Sequence, residues 1–308
     1  MYFHGKNKRW FVFFARGARR VPIVFFPGYA IIKYKYCVKH GGSKMWGAIT
    51  GDIIGSRFEF LSYKSKQFEL FTPRDSVTDD SLMTIAVAKA LTEHGGEDDI
   101  ALSAAVVADM KEIALKYPDS GWGNRFRHWL FEDSAPYRSF GNGAAMRVSP
   151  VGWYAATLDE VYRLSFIVTS VSHNHPEGRK GAECVAAAVF LAKRGYDKRD
   201  ILNFVAEEYY PRVRDMRVAE IRKTYCFDET CQGSVPQALT CFFEGRDFED
   251  TVRNAVSLGG DADTLAAIAG SVAEAYFGIP DNIKTAARKY LGADLLKITD
   301  AFEKVKKP

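Results

Sequence analysis

The sequence has no apolar run of the ~18–20 residues that a membrane-spanning helix needs, so none is predicted. No segment alternates apolar and polar residues with the period of two that marks a half-buried strand, and no Ser/Gly-rich stretch marks a flexible linker. Cysteine is scarce and odd in number: Cys37, Cys184, Cys226, Cys231 and Cys241. Cys226 and Cys231 could form half of a metal or redox pair, but no second Cys/His pair accompanies them. Unpaired thiols in a reducing compartment are the better expectation, which makes the cytoplasm the default location. Acid is missing from residues 1–44, which carry ten Lys and Arg and no Asp or Glu. The rest of the chain holds 32 basic and 38 acidic side chains, a mildly acidic body without the basic stripe that nucleic acid selects.

Residues 1–44 are also crowded with aromatics, Phe3, Trp10, Phe11, Phe13 and Phe14 among them, which neither helical nor strand period organises. Arg16, Arg19 and Arg20 cut the apolar pieces, and no small-residue cleavage site follows, which argues against a targeting peptide. Met45 is the first methionine after Met1. We expect Met45 to be the natural start, residues 1–44 to be an extension outside the fold, and residues 45–308 to form one domain.

What is present from Met45 onward is helical patterning broken by Gly and Pro. Helices are predicted over Trp46–Phe60, Ser81–Glu93, Asp98–Lys116, Gly143–Val148, Leu158–Ser172, Arg179–Arg194, Lys198–Tyr210, Arg212–Tyr225, Ser234–Glu244, Phe248–Ser257, Leu265–Phe277 and Pro280–Lys306, with a loop over 120–136. The fold class is therefore all-α. Gly47, Gly51 and Gly55 are spaced by four, which puts them on one helical face where another backbone can approach closely. The basic run Arg212, Arg214, Arg217, Arg222 and Lys223 reads as a solvated face rather than an anion surface.

Two acidic clusters carry the chemistry. Thr78-Asp79-Asp80 and Asp261-Ala262-Asp263-Thr264 each stand directly before an apolar, Ala-rich helical run. One Asp or Thr at a helix start is an ordinary cap, and capping needs one oxygen per helix. Adjacent carboxylates with no Lys or Arg beside them repel, and a multivalent cation relieves that repulsion. All the side-chain donors are hard oxygens, which suit Mg²⁺, Mn²⁺ or Ca²⁺ over Zn²⁺. Brought together by the fold, the clusters would make a two-metal site. Ser139-Phe140-Gly141-Asn142-Gly143 is a Gly-rich turn entering a short helix, either a plain turn or a cradle of backbone N–H groups for a diphosphate. His173 and His175 precede Pro176 and are either site residues or turn histidines. Glu59, predicted on the glycine face, is either a solvated helix-end glutamate or an acid–base group beside the clusters.

These segments, with Gly47–Glu59, Ser139–Arg147, Ser172–Glu177 and Leu258–Thr264, occur in the order seen in the ADP-ribosylglycohydrolase family, which the chain resembles over about residues 45–290. The resemblance implies a compact orthogonal helical domain with a dinuclear Mg²⁺ or Mn²⁺ site. It implies Thr78, Asp79, Asp80, Asp261, Asp263 and Thr264 as metal ligands and Glu59 as the catalytic carboxylate. Asp52 would be a partner behind the ligands or a ligand through water. Ser139, Phe140, Gly141, Asn142, Gly143 and His173 would bind ADP-ribose, with Phe140, often Tyr in the family, as an adenine platform. The implied activity is hydrolysis of the glycosidic bond between ADP-ribose and an acceptor on a protein or small molecule, with nucleic acid only as a modified acceptor. A catalytically silent ADP-ribose binder and a metal-dependent phosphohydrolase are the alternatives, and the acceptor is not written in these motifs.

Overall fold

Caps and breakers divide the chain into α-helices. The computed structural model describes residues 44–305; the expectations for the N-terminal extension, apart from Lys44, lie outside the described residues. In order the helices are α1 (Trp46–Ser56), α2 (Asp79–His94), α3 (Asp99–Lys116), α4 (Asn124–Phe131) and α5 (Gly143–Met146). They continue with α6 (Ser149–Tyr154), α7 (Leu158–Ser170), α8 (Pro176–Lys193), α9 (Lys198–Glu208) and α10 (Val218–Thr224). The last five are α11 (Cys231–Glu244), α12 (Phe248–Val256), α13 (Ala262–Phe277), α14 (Asp281–Arg288) and α15 (Ala293–Lys304). No strand occurs among the described residues, where the one isolated antiparallel bridge joins Gly141 to Thr230. Thr78, Asp98, Thr157, Asp197, Thr230 and Asp247 each cap a helix by accepting from backbone N–H groups two or three residues on. No described helix is long and apolar enough to cross a membrane.

Several boundaries differ from the sequence expectation. α1 stops at Ser56, and residues 57–60 form a turn ending on Phe60 with φ 62°. Glu59 therefore stands in a turn and not on the helical glycine face. The expected loop over 120–136 contains α4, which at eight residues is too short for its period to stand out, yet it buries Phe126, Trp129 and Leu130. The expected Gly143–Val148 helix stops at Met146, and α6 follows with Pro150 in its first turn, where a missing N–H costs little. The expected Arg212–Tyr225 helix is split into a 3₁₀ turn (Pro211–Arg214) and α10, since only Val213 is buried in the first piece. Its cations pair locally, Arg214 with Glu207 and Lys223 with Glu220. Gly292 caps α15 and separates it from α14 where one long helix was expected.

The core is organised around α13, buried from Ala262 to Ala275, and α1, buried from Trp46 to Gly55. Their backbones touch. A Cβ built on Gly47 would lie 2.2 Å from the Gly270 carbonyl oxygen, one on Gly51 2.1 Å from that of Ala266, and one on Gly55 2.4 Å from Asp263 Cα. The glycine stripe thus lets the two helices approach closer than any side chain allows, and it lodges the C-terminal acid cluster against the end of α1. The loop of residues 61–77 is strapped down rather than free: Arg57 pairs with Asp75, Lys66 with Asp250, and Arg253 donates to the carbonyls of Lys66 and Phe68. The four described cysteines are free thiols, three of them buried.

Gly51→Ala should destabilise the protein by about 1–3 kcal/mol, the range for overpacking a tight core, read as a lower denaturant midpoint at unchanged slope. An unchanged midpoint would show that the helix pair can separate freely.

Candidate active site

Asp52 stands on the buried face of α1 and is fully enclosed. Its carboxylate accepts from the N–H (3.1 Å) and hydroxyl (2.6 Å) of Thr78 and from the N–H (3.1 Å) and hydroxyl of Ser81. Asp52 therefore fixes the start of α2 from behind. Burial outweighs these hydrogen bonds and pushes its carboxyl up to about 6. Thr78 donates its hydroxyl proton to Asp52 and accepts from Asp80 N–H, so its remaining lone pair is all it can offer elsewhere.

The two acidic clusters meet. Thr264 Oγ1 donates to Asp80 Oδ2 at 3.2 Å across 184 residues of sequence. Asp261 and Asp263, at the start of α13, each place one oxygen within 4.8 Å of the other's and of one from Glu59, a set able to hold a metal ion. Asp79, Asp80, Asp261, Asp263, Thr264 and Glu59 all line one cavity of about 380 Å³. Thr78, bonded to Asp52 and to the Asp80 N–H, does not line it. Burial first, then the neighbouring carboxylates, hold Asp79, Asp80 and Asp263 well above the usual carboxylate range. Asp261 is raised by burial against the hydrogen bonds that it receives. Glu59 is pushed up to about 7, chiefly by burial and then by Asp261. Glu59 also shares a hydrogen bond with Asp263, which requires a proton on one of the two when no cation is present.

The residues fit a divalent cation on structural grounds. Asp80 Oδ1 is buried with no hydrogen-bond partner among the described residues. Such an orphan costs free energy unless something positive faces it. No Lys or Arg pairs with any of these carboxylates among the described residues, and every donor is a hard oxygen.

The Gly-rich turn borders the same cavity, but with fewer free N–H groups than its sequence suggests. Gly141 N–H is taken by Ser139 Oγ (3.1 Å) and Asn142 N–H by the Glu229 carbonyl (2.7 Å). The Asn142 amide instead donates to Asp261 Oδ2 at 2.6 Å and to Ser234 Oγ at 3.0 Å, tying the turn to the acid cluster. Sequence reading missed that link. Phe140 is 42% exposed, edge-on to His175 at 5.3 Å between centroids. Gly143 lies under His173, whose Nε2 would be 3.2 Å from an added Cβ. His175 caps α8 through Nδ1 and is a turn histidine. His173 is buried beside the cavity, and burial, reinforced by Arg147 and Arg125, holds it well below the usual imidazole range, hence neutral.

Arg147, quoted in the motif but given no role from sequence, is fully buried and lines the cavity. It donates to Ser172 Oγ at 2.7 Å, while Nε and Nη1 find no partner among the described residues. Burial lowers it to about 10, so it remains a cation at neutral pH. Ser172 accepts from Arg147 and lies 2.8 Å from His173 Nδ1. The His173 Nε2 faces the turn of residues 139–143. Its place at the end of the Ser139–Arg147 motif was the available sequence signal; its burial without a carboxylate partner is a tertiary fact.

Comparison with known proteins gives the same direction. A family model for ADP-ribosylglycohydrolase matches residues 43–307. An uncharacterised protein of Archaeoglobus fulgidus is 32% identical over 173 residues; the match spans 50% of this chain and about half of the relative's length, 54%. ADP-ribosylhydrolase ARH3 of Homo sapiens is 24% identical over 329 aligned positions, spanning 81% of this chain and 89% of its own. A solved structure titled ADP-ribosylglycohydrolase-related protein complex superposes with TM-score 0.62 at 26% identity, covering 84% of this chain and 95% of that one. With its helical architecture and a matched segment reaching across nearly all the described residues, this chain belongs to the ADP-ribosylglycohydrolase family.

Proposed function

We propose that the protein is a metal-dependent hydrolase that cleaves the glycosidic bond between ADP-ribose and an acceptor, on a protein or a small molecule. Family membership supports ADP-ribosyl hydrolase activity in general. The observation that carries the finer reading is the junction of the acid clusters at Asp80 and Thr264, with Asp80 Oδ1 left unpartnered at the cavity wall. Thr78, Asp79, Asp80, Asp261, Asp263 and Thr264 would hold two divalent cations, Mg²⁺ or Mn²⁺. When bound, such ions polarise sugar oxygens and lower the pKa of water.

The chain's own residues do the rest. The cavity is of ordinary ligand size. Arg147 sets a positive potential behind the turn of residues 139–143, where a diphosphate would lie, and Phe140 offers an exposed ring to a base. His173 presents its Nε2 to the same turn and stays neutral, so it adds no charge there. Asn142 holds Asp261 in place. Glu59, at the cavity's acid end, is the carboxylate placed to stabilise an oxocarbenium-like transition state and to move the proton.

Turnover of an ADP-ribosylated peptide should stop with EDTA and return with Mg²⁺ or Mn²⁺, releasing intact ADP-ribose. Release of AMP would point to a phosphohydrolase instead, and binding without turnover to a silent reader. Asp263→Ala should lose metal by calorimetric titration and lower kcat by at least about 10³; unchanged kinetics would remove it from the ligand set. Glu59→Gln should keep ADP-ribose affinity while kcat falls about 10²–10⁴-fold, and a parallel loss of affinity would make Glu59 structural. The metal-free protein folds with protonated carboxyls whose pKa values are raised above those of the unfolded chain. Their stabilisation is complete below the unfolded carboxyl range and is lost as pH rises through about 6 to 7. Its Tm should therefore fall over that window, and added Mg²⁺ or Mn²⁺ should raise Tm more at pH 8 than at pH 5. A metal effect independent of pH would contradict binding at these groups.

A further inference from the structure

Asp261 follows two glycines in the left-handed region, Gly259 at φ 71° and Gly260 at φ 72°. Glycine has more conformational freedom to lose than any other residue, so a Gly-Gly turn directly before a candidate ligand has to be held from outside. It is held on two sides. A Cβ built on Gly259 would lie 3.2 Å from Tyr63 N and O and from Lys64 Nζ, and one on Gly260 3.0 Å from the backbone of Cys226 and Phe227. The turn is therefore threaded between the segment that follows Glu59 and the segment that brings Phe227 and Glu229 to the cavity wall. Phe60 closes the same layer by stacking on Phe227, 5.3 Å between ring centroids at 25°.

One side chain joins the three segments. Lys64 donates through Nζ to the Tyr225 carbonyl at 2.6 Å, 161 residues away, and to the Leu258 carbonyl, 194 residues away. Leu258 directly precedes the glycines, and Tyr225 stands just before Cys226 and Phe227. No carboxylate pairs with this ammonium among the described residues, and burial lowers its pKa from the ordinary lysine value. Seating a charge on neutral carbonyls away from water is costly. The loop does not need that seat for its own anchoring, since Arg57–Asp75, Lys66–Asp250 and Arg253 already strap it down. What Lys64 adds is a grip on the backbone before Asp261, whose Oδ2 is held from the other side by the Asn142 amide.

We infer that Lys64 is a positioning residue: its ammonium locks the segment after Glu59, the Phe227 wall and the Gly259–Gly260 turn into one unit, which sets Glu59 in register with Asp261. This rests on the reading that the acid clusters hold divalent cations. Lys64 does not line the cavity, so it acts through its two carbonyl partners and not on substrate. Order imposed on Asp261 by a cation is then passed to the loop after Glu59. Such coupling is reciprocal, so a loop already in place favours the cation by the same factor. Lys66, two residues on, supplies the contrast: it pairs with Asp250 of α12, outside the unit.

The test uses the full chain with Mn²⁺ or Mg²⁺ as titrant. Lys64→Met keeps the side chain's length and removes its donors; calorimetric titration should show cation affinity about tenfold weaker, the scale of a hydrogen bond to a charged group. At saturating cation its kcat on an ADP-ribosylated peptide should stay about 10–100-fold low, the cost of slightly misplacing a catalytic group, with KM unchanged. Lys64→Arg keeps a charged donor and should recover most of both losses. Lys66→Met should lower the denaturant midpoint and leave cation affinity as it is. In wild type the cation should slow amide exchange at residues 61–64 and 226–230 as well as at 261–264, a measurement that needs no variant to fold. Protection confined to residues 261–264 would overturn the inference, as would wild-type affinity in Lys64→Met or an equal loss of affinity in Lys66→Met; each leaves the cation reading standing. A wild type that binds neither cation would remove that reading and this inference together.

Discussion

The close contact between α1 and α13 is the constraint on which the rest depends. Glycine at residues 47, 51 and 55 removes the side chains that would hold two helices about 8–10 Å apart, so backbone lies on backbone. Asp52 is carried on the same helix as those glycines, and Asp263 lies against Gly55. Asp52 then fixes the start of α2, which brings Asp79 and Asp80 to the start of α13. A chain of short contacts, from glycine stripe to buried carboxylate to helix cap, positions both acid clusters.

The electrostatics follow from that packing. Six oxygen-bearing side chains are pressed together without a paired cation, so their carboxyls hold protons more tightly than usual, and one oxygen of Asp80 is left without a partner. This arrangement opposes folding of the metal-free chain at neutral pH unless a divalent cation enters. On the other side of the cavity, Arg147 has the opposite status, a buried cation without a carboxylate, which makes that wall receptive to an anion. Neutral His173 lines the same cavity and adds no charge to it.

Much of this was legible in the sequence because local chemistry signals itself. The caps, the glycine spacing and the paired carboxylates each appear within a few residues of one another. What was missed or misread depended on partners far away. The Asn142 amide holds Asp261, 119 residues distant, a link no local pattern shows. Glu59 looked helical because the period runs on past Ser56, whereas Arg57 turns away to pair with Asp75 and ends the helix. α4 escaped notice since eight residues span too few turns for an apolar period to show, although its Trp129 is fully buried.

The sequence alone determined the helical class, the hard-oxygen character of the acid clusters and the face along which α1 can be approached, since periodicity, side-chain chemistry and the absence of Cβ atoms are local properties. Only the tertiary structure decided that Thr264 reaches Asp80, that Arg147 is buried without a partner, and that Phe60 and Phe227 share a rim with Glu229. Those are relations between segments, and residue spacing along a chain cannot encode the desolvation and distance that only packing imposes.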